Sequence, residues 1–191
     1  MIRRLCGLAL AALLSGCVSQ PGGFFGERVY GADHFAGYLP QSFSAFAAAG
    51  PVVEVRGAPP GGATAEAVAE ALRLPGYWPQ TPFRPAGATP EDDQRIVLIF
   101  GTMGSGNPLG ACRSAGGGID QPADQPLRVY AAYCNGRGAW AGAKLDAAAP
   151  LGPSDPGFAE AMERLFFVLA PVQDPSDRFR NRRPLWLLLG G

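Results

Sequence analysis

The chain has 191 residues, of which 47% are hydrophobic and 17% charged, a length and composition that suit one globular domain with a buried core. Its 16 basic and 16 acidic residues balance, which gives no support to nucleic-acid binding, a function that usually needs a strongly basic domain. The 27 glycines and 19 prolines predict long irregular loops between the ordered elements.

The N-terminus has the three-part layout of an export signal. Arginines at positions 3 and 4 precede an apolar run over residues 5–14, and two small residues separate this run from Cys17. The run is too short for a transmembrane helix, which needs about 20 apolar residues. A buried amphipathic helix is the alternative, but the run is apolar on all sides and not along one stripe. We therefore interpret residues 1–16 as a signal peptide that is removed.

The sequence Leu14-Ser15-Gly16-Cys17 resembles the lipobox of bacterial lipoproteins, and the resemblance covers residues 1–17 only. It implies that Cys17 becomes the first residue of the mature chain and carries a covalent diacylglycerol and an acyl chain. Two or more acyl chains hold a protein at a membrane stably, whereas one binds reversibly. In lipoproteins of this kind an Asp after the cysteine commonly causes retention at the inner membrane, so the resemblance with Val18 favours an outer-membrane anchor. We expect the anchored domain to face the periplasm, and a surface-facing domain is the alternative.

Cys112 and Cys134 form the remaining cysteine pair, since Cys6 would leave with the signal peptide. An even pair in an oxidising compartment predicts a disulfide, which would contribute about 3 kcal/mol by closing its loop. Two free thiols are the alternative. A zinc site would need four Cys or His ligands, whereas the chain has one His, and the Cys-x-x-Cys motif of redox centres is absent.

The mature chain begins with a segment assigned to the tether. Residues 17–50 are interpreted as a lipidated tether and an aromatic and alanine-rich segment, with a short helix over residues 41–49. One domain is assigned to residues 51–191. Its first strand is the valine-rich stretch 52–55, and Thr64 caps a following helix that runs to about residue 74.

The apolar run over residues 95–100 is typical of a strand covered on both faces, so it completes a β-α-β unit with the first strand. A glycine-rich loop over residues 101–125 follows. Two further strands, 127–134 and 139–145, flank an Asn-Gly turn that predicts a hairpin.

The best helix of the sequence starts at Asp155 and Pro156 and ends near Pro171, with large apolar residues at helical spacing. The element order β-α-β-β-β-α predicts an α+β fold, a two-layer sandwich of about four strands with helices on one face and long Gly/Pro-rich loops.

The C-terminal tail combines charge and apolar character. Four arginines lie between residues 178 and 183, and the apolar stretch 184–189 follows them. We favour a solvated arginine loop that leads into a last buried strand, because the apolar stretch is too short for a membrane element. The alternative places the arginines at anionic lipid headgroups and Trp186 at the membrane interface.

Few residues follow a pattern typical of catalysis. The glycines at 101, 104 and 106 lack the Gly-Lys-Ser/Thr ending of a phosphate-binding loop, so no nucleotide is expected. His34 lies beside Asp33, but the Gly-x-Ser-x-Gly elbow of a serine hydrolase is absent. The acidic run 91–93 is typical of a solvated turn, and the sequence predicts no metal site.

Two functional hypotheses follow. The first is an outer-membrane-anchored lipoprotein that acts as an accessory or interaction domain for another envelope protein and is not an enzyme. The second is an envelope hydrolase or small-ligand-binding lipoprotein built around His34, the acidic run 91–93 and the loop 101–125; it requires these three to converge on one cleft. A purely structural surface protein is a weaker third alternative.

Overall fold

The computed structural model describes residues 26–87, 94–101, 107–113 and 125–175. In these ranges six strands form one mixed sheet, and four α-helices pack against it, which confirms the α+β prediction. The strands are β1 (Glu27–His34), β2 (Val52–Arg56), β3 (Arg84–Pro85), β4 (Gln94–Phe100), β5 (Arg128–Asn135) and β6 (Gly138–Ala147). The helices are α1 (Pro40–Ala48), α2 (Ala65–Ala71), α3 (Pro108–Arg113) and α4 (Pro156–Leu169).

The strand order across the sheet is β1-β6-β5-β4-β2-β3. Strands β2 and β4 are parallel and joined through α2, as the β-α-β prediction requires. Strands β5 and β6 form the predicted antiparallel hairpin, and Gly136 in its turn adopts a φ of 54°, which few other residues tolerate.

The sheet is covered on both faces, because residues along β4 alternate between two cores. Its even-numbered apolar residues pack with α1, α2 and α4 in the main core, which holds Phe43, Val68 and Phe166. Val97 and Ile99 face the other way and pack with α3 in a smaller core. The prediction of helices on one face therefore holds for three helices, whereas α3 lies on the opposite face.

Residues before the assigned boundary at residue 51 contribute a strand and a helix to the described fold. Strand β1 pairs antiparallel with the central part of the sheet through β6, and its register shifts between Tyr30 and Asp33. Helix α1 buries Phe43 and Phe46 in the main core. Residues 27–48 are thus part of the domain, and the tether assignment remains a prediction only for residues that lie outside the described ranges.

Helix α3 has six residues, which is too short to be stable by itself, so contacts with the sheet must hold it in place. The predicted disulfide between Cys112 and Cys134 is confirmed and joins α3 to β5. Gly142 on β6 has no side chain, which leaves room for Pro108 at the first turn of α3.

A buried ionic cluster, Glu54, Arg56 and Arg95, also holds α3; we call it the arginine clamp. The Arg56 guanidinium donates to the Ala111 carbonyl at 2.7 Å, and that of Arg95 donates to the Cys112 carbonyl at 3.0 Å. Both arginines also donate to the Glu54 carboxylate, at 2.7 and 2.8 Å. Helix α3 is therefore fixed to the sheet by a covalent bond and by ionic hydrogen bonds.

Candidate functional site

An open groove of about 550 Å³ lies where β1 and α4 both end. His34 lies at this site together with mainly apolar residues, which include Tyr77, Phe167, Val168, Pro171, Val172 and Pro175. Three of these side chains are unusually exposed for their size: Phe167 at 59%, Val172 at 51% and Tyr77 at 43%. The Tyr77 and Phe167 rings meet edge-on with centroids 6.0 Å apart. The groove therefore presents an apolar, partly aromatic surface to solvent.

Three side chains from other elements fix the wall of this groove. A helix leaves its last carbonyl groups without intrahelical partners. At the end of α4, His34 donates to the Leu169 carbonyl at 3.2 Å, Trp78 to that of Ala170 at 3.0 Å, and Tyr38 to that of Pro171 at 2.7 Å. Three consecutive carbonyls are thus bound by three different segments, which holds the backbone that leads into residues 171–175.

The contact with the Leu169 carbonyl determines which ring nitrogen of His34 carries a hydrogen. Its Nε2 atom faces a carbonyl, which can only accept, so Nε2 carries the hydrogen. Burial lowers the pKa of His34, and the backbone carbonyls and the Asp33 charge oppose that shift only in part. The ring also meets Tyr38 edge-on, with centroids 5.3 Å apart. His34 is therefore a neutral positioning group whose hydrogen is committed to the backbone.

Asp33 and His34 are adjacent strand residues, and adjacent residues of a strand point to opposite faces of the sheet. His34 turns toward α4, whereas Asp33 pairs with Gly142 beside the α3 face. The two neighbouring residues therefore lack the orientation in which an aspartate aligns a catalytic histidine.

The other residues of the enzymatic hypothesis are placed only in part. The acidic run 91–93 lies outside the described residues, as do Cys17, residues 102–106 and 114–124, and the tail 176–191. The described part of the predicted 101–125 loop includes α3, which packs on the sheet face opposite α4. Of the three predicted components, only His34 is seen at the groove.

Most groove residues were not predicted from the sequence. Phe167 stands next to Phe166 on α4, and consecutive helical residues are separated by about 100° around the axis, so both could not face the same core. Phe166 is fully buried and stacks on Phe83, whereas Phe167 is exposed. An adjacent Phe pair on an amphipathic helix is the one sequence signal that points to an exposed aromatic residue here.

A smaller polar cleft of about 250 Å³ lies on the sheet beside Gly101. Tyr30, Arg128, Lys144 and Asp146 are among its lining residues. The Tyr30 hydroxyl donates to the Asp146 carboxylate at 3.1 Å, and Arg28 approaches the same carboxylate at 3.4 Å. The Asp146 carboxylate in this cleft thus already has partners within the chain.

Neither a metal centre nor a membrane span is found in the part of the chain that the structure describes. There, no three His, Cys, Asp or Glu side chains come together as potential metal ligands. No described helix combines the length and apolar character needed to cross a bilayer.

No protein-family model, curated protein or solved structure matches the chain.

Proposed function

We propose that this protein is a lipid-anchored accessory protein of the outer membrane whose groove receives an apolar segment of another envelope protein. The observation that carries the proposal is the exposure of Phe167, Val172 and Tyr77 around one groove. Scattered surface apolar residues need no explanation, but a contiguous apolar patch with aromatic anchors is typical of a binding surface. The lipobox supports the membrane attachment at Cys17.

The groove is organised before any partner binds. The hydrogen bonds of His34, Tyr38 and Trp78 hold the end of α4, and Trp78 also packs against Phe43 in the main core, with ring centroids 5.0 Å apart. A surface that is already ordered loses less conformational entropy when it binds. Such a groove supports selective binding of a short segment.

Acidic residues around the groove indicate the charge of the partner. Burial and then the Glu163 charge raise the pKa of Tyr77, so Glu163 lies close to this side of the groove. Asp174 lies within the segment 171–175, three residues of which line the groove together with Gln173. Complementary charge around an apolar contact favours a partner segment with basic residues beside its apolar ones.

Site-directed photo-crosslinking in intact cells tests the docking surface. A benzophenone amino acid at position 167 should yield a reproducible crosslinked envelope protein, and Phe167→Asp should prevent binding of that protein in co-purification. Leu109 on α3 provides the matched control, because it is 37% exposed and lies on the opposite side of the sheet. The proposal fails if position 167 gives no partner, or the same products as position 109.

The membrane anchor has a separate test. Cys17→Ser should abolish labelling by radioactive palmitate and leave an uncleaved precursor in membranes. A labelled and cleaved variant would contradict lipidation at Cys17 without affecting the argument for the groove.

A small-ligand-binding lipoprotein is the second candidate function. The groove volume of about 550 Å³ falls within the usual range of about 300–1,000 Å³ for small-molecule sites, and His34 lies at the groove. Native mass spectrometry of protein extracted from membranes should then show a stoichiometric bound compound that Phe167→Asp removes. The partner hypothesis predicts no such compound.

A further inference from the structure

The described part of the chain ends at the groove itself. Pro171, Val172 and Pro175 line the groove, and Pro175 is the last described residue. Sixteen residues follow it in the sequence, and they lie outside the described residues. The position of Pro175 therefore delivers the remaining chain directly to the apolar surface.

The sequence of those residues has the chemistry that the groove favours in a partner. Four arginines occur between residues 178 and 183, and the apolar stretch 184–189 with Trp186 follows. The arginines complement Glu163, which lies close to Tyr77, and Asp174 in the segment that lines the groove. Trp186 offers a large anchor for the exposed rings, since an aromatic side chain buries about 150–250 Å².

Resting on the function proposed above, we propose that the apolar stretch 184–189 occupies the groove of its own chain and must leave before a partner binds. The eight residues 176–183 span up to about 28 Å when extended, which lets the stretch turn back onto Tyr77 and Phe167. The C-terminal tail is then an internal competitor for the partner segment.

A modest intrinsic affinity is sufficient for this competition. A short linker gives a tethered segment an effective concentration on the order of 1 mM. A stretch with a dissociation constant of about 100 μM as a free peptide would therefore fill the groove in about nine molecules of ten. Occupation at that level weakens the apparent affinity for any external segment by about tenfold.

Intrachain crosslinking tests the occupant directly. The complete mature chain, with a benzophenone amino acid at position 167, is irradiated in detergent solution, and the product is mapped by peptide mass spectrometry. We expect a crosslink within one chain to residues 184–189, which Trp186→Asp abolishes and which a probe at position 109 does not give. A crosslink to the tail of a second chain, to detergent or lipid alone, or to no peptide would overturn the proposal.

Binding of a labelled peptide tests the competition. Fluorescein-labelled peptide of residues 178–189 should bind a chain that ends at Pro175, or the Trp186→Asp chain, about tenfold more tightly than the unaltered chain. Circular dichroism confirms the fold of each variant, and the Trp186→Asp chain answers the question if the shortened chain does not fold. Equal affinity for all three chains would refute tail occupation. If position 167 captures a partner in cells but the peptide binds all three chains equally tightly, the tail proposal alone is refuted. If position 167 crosslinks to the tail but never to a partner, only the proposed function is refuted.

Discussion

Replacing Arg95 by methionine removes the central donor of the arginine clamp and keeps much of the apolar stem. The Arg95 side chain is 9% exposed, and its guanidinium donates to three acceptors that belong to three different segments. These are the Glu54 carboxylate at 2.8 Å, the Gly136 carbonyl at 2.9 Å and the Cys112 carbonyl at 3.0 Å. The substitution therefore loosens β2, the hairpin turn and α3 together.

The expected loss of stability follows from burial and from what remains paired. Truncating one partner of a buried ion pair typically costs about 3–5 kcal/mol, because the other charge stays buried. Here Glu54 keeps its bond from Arg56, while two carbonyls lose a charged donor. We therefore expect Arg95→Met to lower the free energy of unfolding by about 4 kcal/mol, a large part of the 5–15 kcal/mol typical of a domain.

Urea unfolding followed by circular dichroism measures this loss. Arg28→Met is the matched control, since Arg28 is 71% exposed, contacts Asp146 only at 3.4 Å and otherwise lies over the Tyr30 ring at 4.5 Å. The control should change the free energy of unfolding by less than about 1 kcal/mol. If Arg95→Met also cost less than about 1 kcal/mol, the clamp would behave as an exposed ion pair, and the argument that it holds α3 would be wrong.

Three further outcomes are expected. Burial lowers the pKa of His34 below its usual 6.5. The stability that neutral His34 contributes is therefore present above pH 6.5 and is lost as the pH falls through the folded-state pKa. In the His34→Gln variant, the melting temperature should depend less on pH over that range. The pKa of Glu54 is lowered overall: burial alone would raise it, but the hydrogen bonds from Arg56 and Arg95 outweigh that effect. The stability that ionised Glu54 contributes is therefore lost as the pH falls below about 4.5, and Glu54→Gln should remove this part of the acid-induced loss of stability. Joint replacement of Cys112 and Cys134 by serine should lower the free energy of unfolding by about 3 kcal/mol, measured by thermal unfolding, and leave the far-ultraviolet circular dichroism spectrum unchanged. An unchanged melting temperature would show that the disulfide does not stabilise the fold.

The elements that the sequence predicted are those whose burial imposes a clear hydrophobic period. Strand β4 is apolar along Ile96–Phe100 because both of its faces are covered, and α4 buries one regular stripe. The β5–β6 hairpin has a local turn signal as well, at Gly136. The disulfide followed from the count of cysteines and the predicted compartment, without any knowledge of the fold.

Two elements escaped prediction because little in their sequence reflects their environment. Strand β1 is an edge strand with most of its residues exposed, so its apolar alternation is weak. Helix α3 is a six-residue stretch inside a glycine-rich region, and Cys112 and the distant residues Arg56 and Arg95 hold it in place. The groove was missed for the same reason, since Tyr77 and Phe167 come together only through the packing of α4.

The two edges of the sheet have a consequence for how this protein meets other chains. Strand β3 is two residues long and ends in Pro85, which has no backbone N–H to donate. Strand β1 at the other edge carries Arg28 and Asp33, and its register shifts between Tyr30 and Asp33. A short edge, a proline, charged side chains and a bulge all oppose the addition of a foreign strand. Recognition by β-augmentation is thus disfavoured at both edges that the described strands form, which also opposes edge-to-edge aggregation between copies of this chain.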